Sequence, residues 1–365
     1  MPLIGVIGAG NGGLAVAGLL QSKGWPVSIY DVRADVLQAV RARGGITLRG
    51  AVEAEARGIQ VADSVETLAG ACDILLAVVP ASAHRQLAEQ LAAHVRPHHA
   101  LVLMPGGTGG SLDVQAAWTA FQVPRGVTLA ETDTLPFACR TVAPAQVSVY
   151  AVKKRLGYAV CTGRREADIV PLLEALGPRL TVAESVLTTG FGNVNPVVHP
   201  VIFLMGMATF ERQGAAVPFY AQVTPAIARV MERVDEERCR VAQAYGCRPL
   251  PLLAWLQTSY GVESASLYEV FARLADSVYR DILGPQGVDH RFLTEDVPTG
   301  LMALQAFGRL AGVPTPTIDA LIHLAEIVTA TAWHPHARTL ERLGLKGVST
   351  PDDVRRHVAA LQRAV

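Results

Sequence analysis

The sequence has no bias of charge. Its 32 Lys and Arg residues are matched by 32 Asp and Glu. With no basic field to offer, neither nucleic acid nor an anionic membrane is expected as a partner. No uninterrupted apolar run of membrane-spanning length is seen. The apolar stretch at the N-terminus has no basic region before it and is broken by glycines, which favours a strand and a turn over a signal peptide. Cysteine is sparse: Cys72, Cys139, Cys161, Cys239 and Cys247 are scattered and form no C-x-x-C pair. Neither a disulfide framework nor a zinc site is signalled, no metal is expected, and a reducing cytoplasm fits best. Cys72 and Cys161 lie inside apolar runs and read as small buried hydrophobes. Repeats and low-complexity tracts are absent. What remains is a chain of 365 residues, 50% hydrophobic and 18% charged. That is the composition of a globular protein long enough for two cores.

The most informative stretch is near the start. Leu3-Ile4-Gly5-Val6-Ile7 reads as a short strand that runs into Gly8-Ala9-Gly10-Asn11-Gly12-Gly13, and Leu14 to Leu20 reads as a helix. In a G-x-G-x-x-G turn the first glycine allows the sharp bend and the second lets a pyrophosphate approach the backbone. The third allows close packing of helix on strand. The N–H groups and dipole at the helix start would then hold the phosphates. A second strand, Val27-Ser28-Ile29-Tyr30, ends at Asp31, eighteen residues beyond Gly13. A carboxylate there is expected to meet the cofactor ribose and to favour NAD. Arg33, two residues on, could instead reach the phosphate of NADP.

Strand and helix patterns alternate through the first half. A helix is expected near Val36–Arg43, then an irregular stretch through Gly58. Asp73 to Pro80 is a continuous apolar strand of the kind buried in a parallel sheet. A helix follows from Ser82 to Val95, and Ala100–Met104 is the next strand, closed by Pro105–Gly110. Ligands of such a sheet lie at the carboxyl ends of its strands, which places Val79, Pro80 and the Pro105–Gly110 loop beside the cofactor. Val147–Val152 and Ala159–Cys161 read as two more strands around Lys153-Lys154-Arg155, whose charges suit a solvated turn. From about Gly190 the apolar spacing becomes helical, through Pro218–Tyr245, Leu267–Leu283, Thr299–Leu310 and Thr317–Ala332. The expected architecture is an α/β Rossmann-type domain with a doubly wound parallel sheet over residues 1–188, then an all-α domain over 189–365. The cleft between such domains is the default substrate site.

Hydride transfer to or from a dinucleotide needs a proton donor or acceptor nearby. Of the ten histidines, His84, His98, His99, His334 and His336 lie in polar or loop-like contexts and read as solvent-facing. His199 differs, following Asn193, Asn195 and Pro196 where the helical half begins. It could line a cleft with the two asparagines. Spacing alone does not separate this from a satisfied core histidine. The stretch Asp289 to Gly300 crowds His290, Arg291, Glu295 and Asp296 before a helix. An Asp can orient an imidazole, and an Arg can hold a carboxylate in a bidentate pair. The competing reading is a helix cap by Thr294 or Asp296 among solvated neighbours.

Taken together, these residues resemble the octopine/nopaline (opine) dehydrogenase family nearly from end to end. The resemblance runs through Gly8–Gly13, Val78–Ala81, Pro105–Gly110, Glu131–Arg140, Asn193–Pro196 with His199-Pro200, and Thr294–Pro298. It implies an enzyme that joins an amino acid to a 2-oxo acid, typically pyruvate, and reduces the imine with NADH or NADPH. It further implies that His199 is the acid/base and Asp296 its orienting carboxylate. Arg291 would hold the 2-oxo acid carboxylate, with His290 and Arg280 as competitors. Thr134 and Cys139 would lie near the amino acid or the nicotinamide, and Asn195 near substrate. Two other readings compete: a simple 2-oxo acid reductase on the same plan, and a nucleotide-sensing protein without turnover. The former generally needs an active-site lysine, and none of Lys153, Lys154 and Lys346 looks well placed. For a guanidinium substrate Asp133, Glu263 and Glu269 are all candidates for an extra carboxylate. Which amino acid is used is not legible here. A homodimer is compatible with the sequence.

Overall fold

The computed structural model describes every residue except 214–216, 286, 364 and 365. The chain divides into two compact units. The first comprises Met1–Gly106, Gly110–Val186 and the segment from Ala359 onward; the second comprises Gly107–Gly109 and Leu187–Val358. A linear division at 188/189 assigns those two short segments the other way. The C-terminal return is fastened by Gln362, whose side-chain amide donates to the carbonyls of Val160 (3.2 Å) and Glu184 (3.3 Å).

The strands of the first unit are β1 (Ile4–Ile7), β2 (Val27–Tyr30), β3 (Gly45–Gly50), β4 (Ala54–Arg57), β5 (Gln60–Val61) and β6 (Ile74–Ala77). They continue with β7 (Ala100–Leu103), β8 (Thr128–Thr132), β9 (Phe137–Ala143), β10 (Gln146–Val152), β11 (Arg155–Thr162) and β12 (Arg179–Val182). Eight form one sheet in the order β12-β11-β8-β7-β6-β1-β2-β5. All its neighbours are parallel except β11 on β8. The central strands β1, β6 and β7 are buried along their whole length, which is why their sequences are unbroken apolar runs. Each fully buried Leu or Ile contributes roughly 1.5–3 kcal/mol there.

A second sheet, in the order β4-β3-β10-β9, was not expected. Half of it comes from the Gly44–Gly58 stretch, where Glu and Arg side chains alternate with Ile46, Leu48 and Ala56 so that one face is apolar. The helix Asn11–Ser22 packs against this small sheet as well as the large one. It is therefore buried continuously from Gly13 to Leu20 and carries no polar stripe. Gly18 lies where a methyl group would stand 3.1 Å from Ile46.

The second unit is helical, with Asn195–Gln213, Pro225–Ala244, Leu252–Tyr260, Leu267–Ala275, Met302–Ala311 and Pro316–Thr329 as its main helices. Pro225–Ala244 organises the others through buried charges. Arg238, fully buried, bonds Asp235 and the carbonyls of Phe191 and Leu250. Asp235 accepts from Leu252 N–H at 2.7 Å. Glu237 accepts from the N–H groups of Thr317 and Ile318, both at 2.9 Å, capping Pro316–Thr329. The stretch Val186–Arg212 is long and apolar enough by length and composition to cross a membrane, although polar residues such as Asn193, Asn195 and His199 interrupt it, in line with the sequence reading of no uninterrupted apolar run. Some 61% of its apolar window is buried in the structure, which is the character of a core helix.

The glycine contacts give the first test. A Cβ on Gly13 would sit 1.7 Å from the Gly8 carbonyl oxygen, whereas one on Gly10 would meet nothing within 4 Å. Gly13→Ala should cost about 3 kcal/mol or more and lower the melting temperature of the protein without cofactor. Gly10→Ala should leave it within a degree or two. Equal melting temperatures for the two variants would show that the helix can slide off the strand.

Candidate active site

In the first unit the glycine loop is built by close contacts. Gly8 has φ +100°, and a side chain there would strike the Val78 carbonyl at 2.4 Å. Gly10 begins the helix Asn11–Ser22 with no side-chain cap. The N–H groups of its first turn are thus uncapped by the protein next to open space, which fits a pyrophosphate. Val79 comes within 3.0 Å of a methyl group built on Gly8, and Pro80 is exposed at the following turn. Gly12 is covered by Leu135. Asn11 uses its side-chain oxygen to accept from Thr141 N–H at 2.8 Å, and its carbonyl faces Cys139 Sγ at 3.4 Å.

Asp31 lies at the end of β2 with a nearly buried carboxylate. One oxygen accepts from Ala9 N–H at 2.5 Å. The other accepts from Arg33, at 2.9 Å from its N–H and 3.2 Å from Nε. The same carboxylate braces the glycine loop and draws in the half-exposed Arg33 guanidinium.

Thr134 belongs to the connection from β8 into β9 and Cys139 to β9 itself, and both are buried. Thr134 Oγ1 accepts from Lys153 Nζ at 2.5 Å. This corrects the sequence reading of Lys153 as part of a solvated turn: it is only 7% exposed, while Lys154 beside it faces solvent. Asp133 is committed to Arg155 at 3.0 Å and to Gly157 N–H at 2.9 Å. Glu263 and Glu269 are exposed. The histidine reading also needs correction. His84 and His99 are buried, and His99 Nε2 bonds the Ala69 carbonyl at 2.9 Å. His98, His334 and His336 are exposed as expected.

In the second unit, 97 residues of sequence are closed into one contact: His199 Nδ1 and Asp296 Oδ2 are 2.8 Å apart, and both residues are buried. His199 lies one turn into the helix Asn195–Gln213. Asp296 precedes a single π-helical turn, Val297–Leu301. Gly300 in that turn packs on Pro196, where a Cβ would come within 2.2 Å. The absence of a side chain there lets the two segments approach. Of the two cap candidates, Asp296 makes no side-chain capping bond and Thr294 is the last residue of the short helix Arg291–Thr294, which His290 caps.

Sequence reasoning missed a third group. Tyr220 Oη stands 3.1 Å from His199 Nε2. The tautomer that donates from Nδ1 to Asp296 leaves the Nε2 lone pair to accept from this hydroxyl. Tyr220 is stacked on Tyr279 at 4.1 Å, and Phe292 covers the imidazole face at 4.3 Å. Burial pushes the Asp296 carboxyl up to about 7, against the pull of the Arg291 charge. Arg291 is exposed and stands 3.8 Å from Glu295. Asn195, half-buried, opens its helix with its N–H on Asn193 Oδ1 at 3.2 Å, while Asn193 donates to Thr108 at 3.4 Å. Among the described residues no group of three or more His, Cys, Asp or Glu is arranged to hold a metal ion.

Comparison with known proteins accords with this layout. Residues 182–329 match the family model "NAD/NADP octopine/nopaline dehydrogenase, alpha-helical domain". Residues 3–112 match "NAD-dependent glycerol-3-phosphate dehydrogenase N-terminus". An opine dehydrogenase from Arthrobacter sp. (strain 1C) is 33% identical over 94% of this chain and 95% of its own length. Protein ocs of Agrobacterium tumefaciens (strain Ach5) is 27% identical over 95% of this chain and 96% of its own. A solved octopine dehydrogenase, in complex with NADH and L-arginine, has the same fold. Its TM-score is 0.77 and its identity 21%, with 98% of each chain covered. The fold and the glycine loop define a two-domain NAD(P)-dependent oxidoreductase that acts on small molecules. More narrowly, the chain belongs to the octopine/nopaline (opine) dehydrogenase family, whose members act on the CH–NH group of their donors.

Asp31→Ala tests the cofactor end. Loss of the carboxylate removes the brace on Ala9 and the anchor of Arg33, together with the acceptor that the sequence reading expects to meet a ribose hydroxyl. NADH affinity should fall about tenfold, and NADPH affinity should fall less. Fluorescence titrations with both nucleotides read this out. A wild-type preference for NADPH would reverse the ordering.

Proposed function

We propose that His199, Asp296 and Arg291 carry the reductive condensation of an amino acid with a 2-oxo acid such as pyruvate. The product is an N-(1-carboxyalkyl)amino acid, and the reaction runs in both directions. The observation that supports this most is the buried chain Asp296–His199–Tyr220, in a member of a family that performs this chemistry.

Condensation needs an amine that has lost its proton and a carbinolamine oxygen that gains one as water leaves. When bound, the reduced nicotinamide supplies the hydride for the resulting imine. His199 serves the proton steps at Nε2. Asp296 holds the ring in one tautomer through Nδ1 and stabilises the imidazolium when it forms. Burial disfavours the Asp296 anion, and an imidazolium 2.8 Å away would favour its ionised form. The exposed Arg291, 3.8 Å from Glu295, would hold the 2-oxo acid carboxylate. Asp31 at the strand end supports NAD ahead of NADP. The five free cysteines suit a reducing cytoplasm.

Purified protein should oxidise NADH slowly with pyruvate alone and much faster once an amino acid is added. The product mass should equal the two substrates minus water plus two hydrogens. His199→Asn should lower turnover roughly 10²–10⁴-fold with cofactor affinity intact, and Asp296→Asn should cost less. Full speed without any amine would sink the two-substrate reading in favour of a simple 2-oxo acid reductase.

Arg291→Ala should raise KM for the 2-oxo acid more than KM for the amino acid, by about tenfold or more. Equal changes in both would remove Arg291 from the role of clamp.

A further inference from the structure

One buried charge is left unused by the proposed reaction. Lys153 stands between β10 and β11 with its ammonium inside the first unit. Its N–H donates to the Pro136 carbonyl at 2.9 Å. Its Nζ donates to the Leu135 carbonyl at 2.9 Å and to Thr134 Oγ1 at 2.5 Å. One residue thus holds the whole turn from Thr134 to Pro136. Burying an ammonium is costly, and a turn on the surface requires none.

This turn lies against the cofactor loop. Leu135 covers Gly12, and the strand that follows is tied to Asn11 through Cys139 and Thr141. Thr134 itself is poised as a donor. Its oxygen accepts from Lys153, so its single proton must point elsewhere, and no acceptor for that proton is found among the described residues. The neighbouring carboxylate, Asp133, is engaged by Arg155 and Gly157.

We propose that Lys153 is a positioning residue for a substrate carboxylate: it turns the Thr134 hydroxyl outward as a donor and places a positive charge behind it. The inference rests on the two-substrate reading, in which both substrates are carboxylates. Burial lowers Lys153 to about 8, opposed by the Asp133 carboxylate just beyond β8 and by the Cys139 thiol of β9; Arg155 faces Asp133 in turn. The Lys153 charge is present below that pH and lost above it.

Lys153→Met, of similar length and neutral, should raise KM for one of the two acids about tenfold or more at pH 7. NADH affinity, read by fluorescence, should change less than twofold. Varying the amino acid and the 2-oxo acid separately shows which carboxylate is served. The ratio of variant to wild-type KM should shrink between pH 7 and pH 9, as the wild type loses its own charge. A purely structural role would leave that ratio flat. Thr134→Val should raise the same KM while Thr134→Ser restores it, and this comparison carries the test should Lys153→Met fail to fold. Unchanged KM values in Lys153→Met or Thr134→Val, or a ratio independent of pH, would overturn the inference. Wild-type turnover without an amine would count against the two-substrate reading alone, and the Lys153 comparison would then be made on the 2-oxo acid.

Discussion

The fold of the first unit depends on one contact between backbones, the approach of Gly13 to the carbonyl of Gly8. No side chain fits there: a methyl group would lie 1.7 Å from that oxygen. The contact sets the helix Asn11–Ser22 against β1. From that position the helix is covered by the large sheet on one side and the small sheet on the other. The same contact leaves the helix N-terminus uncapped beside Gly10, where nothing lies within 4 Å. Close packing and an uncapped helix N-terminus are thus two results of a single constraint.

The second unit solves a different problem, how to keep an imidazole and a carboxylate together away from water. Burial alone would disfavour the charged carboxyl and cost several kcal/mol. The structure meets this with a partner on each side of the ring. Asp296 meets Nδ1, Tyr220 meets Nε2, and Phe292 covers one face. The geometry in turn relies on the Pro196–Gly300 contact and on a helix framework fastened by Arg238, Asp235 and Glu237. Arg238 and Asp235 bond each other and, with Glu237, backbone groups, so these charges serve the scaffold.

Polar residues were the hardest to place from sequence. Lys153 stood in a run of three basic residues, a pattern that usually marks a solvated face, and only Lys154 and Arg155 behave in that way to any degree. His84 and His99 likewise occur among polar neighbours yet are buried. Asp133 looked available for a substrate and is instead held by Arg155. In each case the side chain's surroundings come from strands or helices distant in sequence. Tyr220 left no readable signal, because the residue it contacts lies 21 positions earlier and belongs to a different helix.

The sequence by itself determined the alternation of strand and helix, the glycine loop with Asp31 at its expected distance, the change to helical texture near Gly190, and the family. These are properties of short windows, where glycine geometry and apolar period act locally. Only the tertiary structure decided that the Gly44–Gly58 stretch pairs into a second sheet, since its strands find their partner in β10, a hundred residues on. It alone decided that the C-terminal residues return to the first unit. Tertiary packing also decided which charged groups are buried and what they touch, as with Lys153 on Thr134 and Asp296 on His199. Burial and hydrogen bonding of this kind depend on segments far apart in the chain, and no local pattern of residues encodes them.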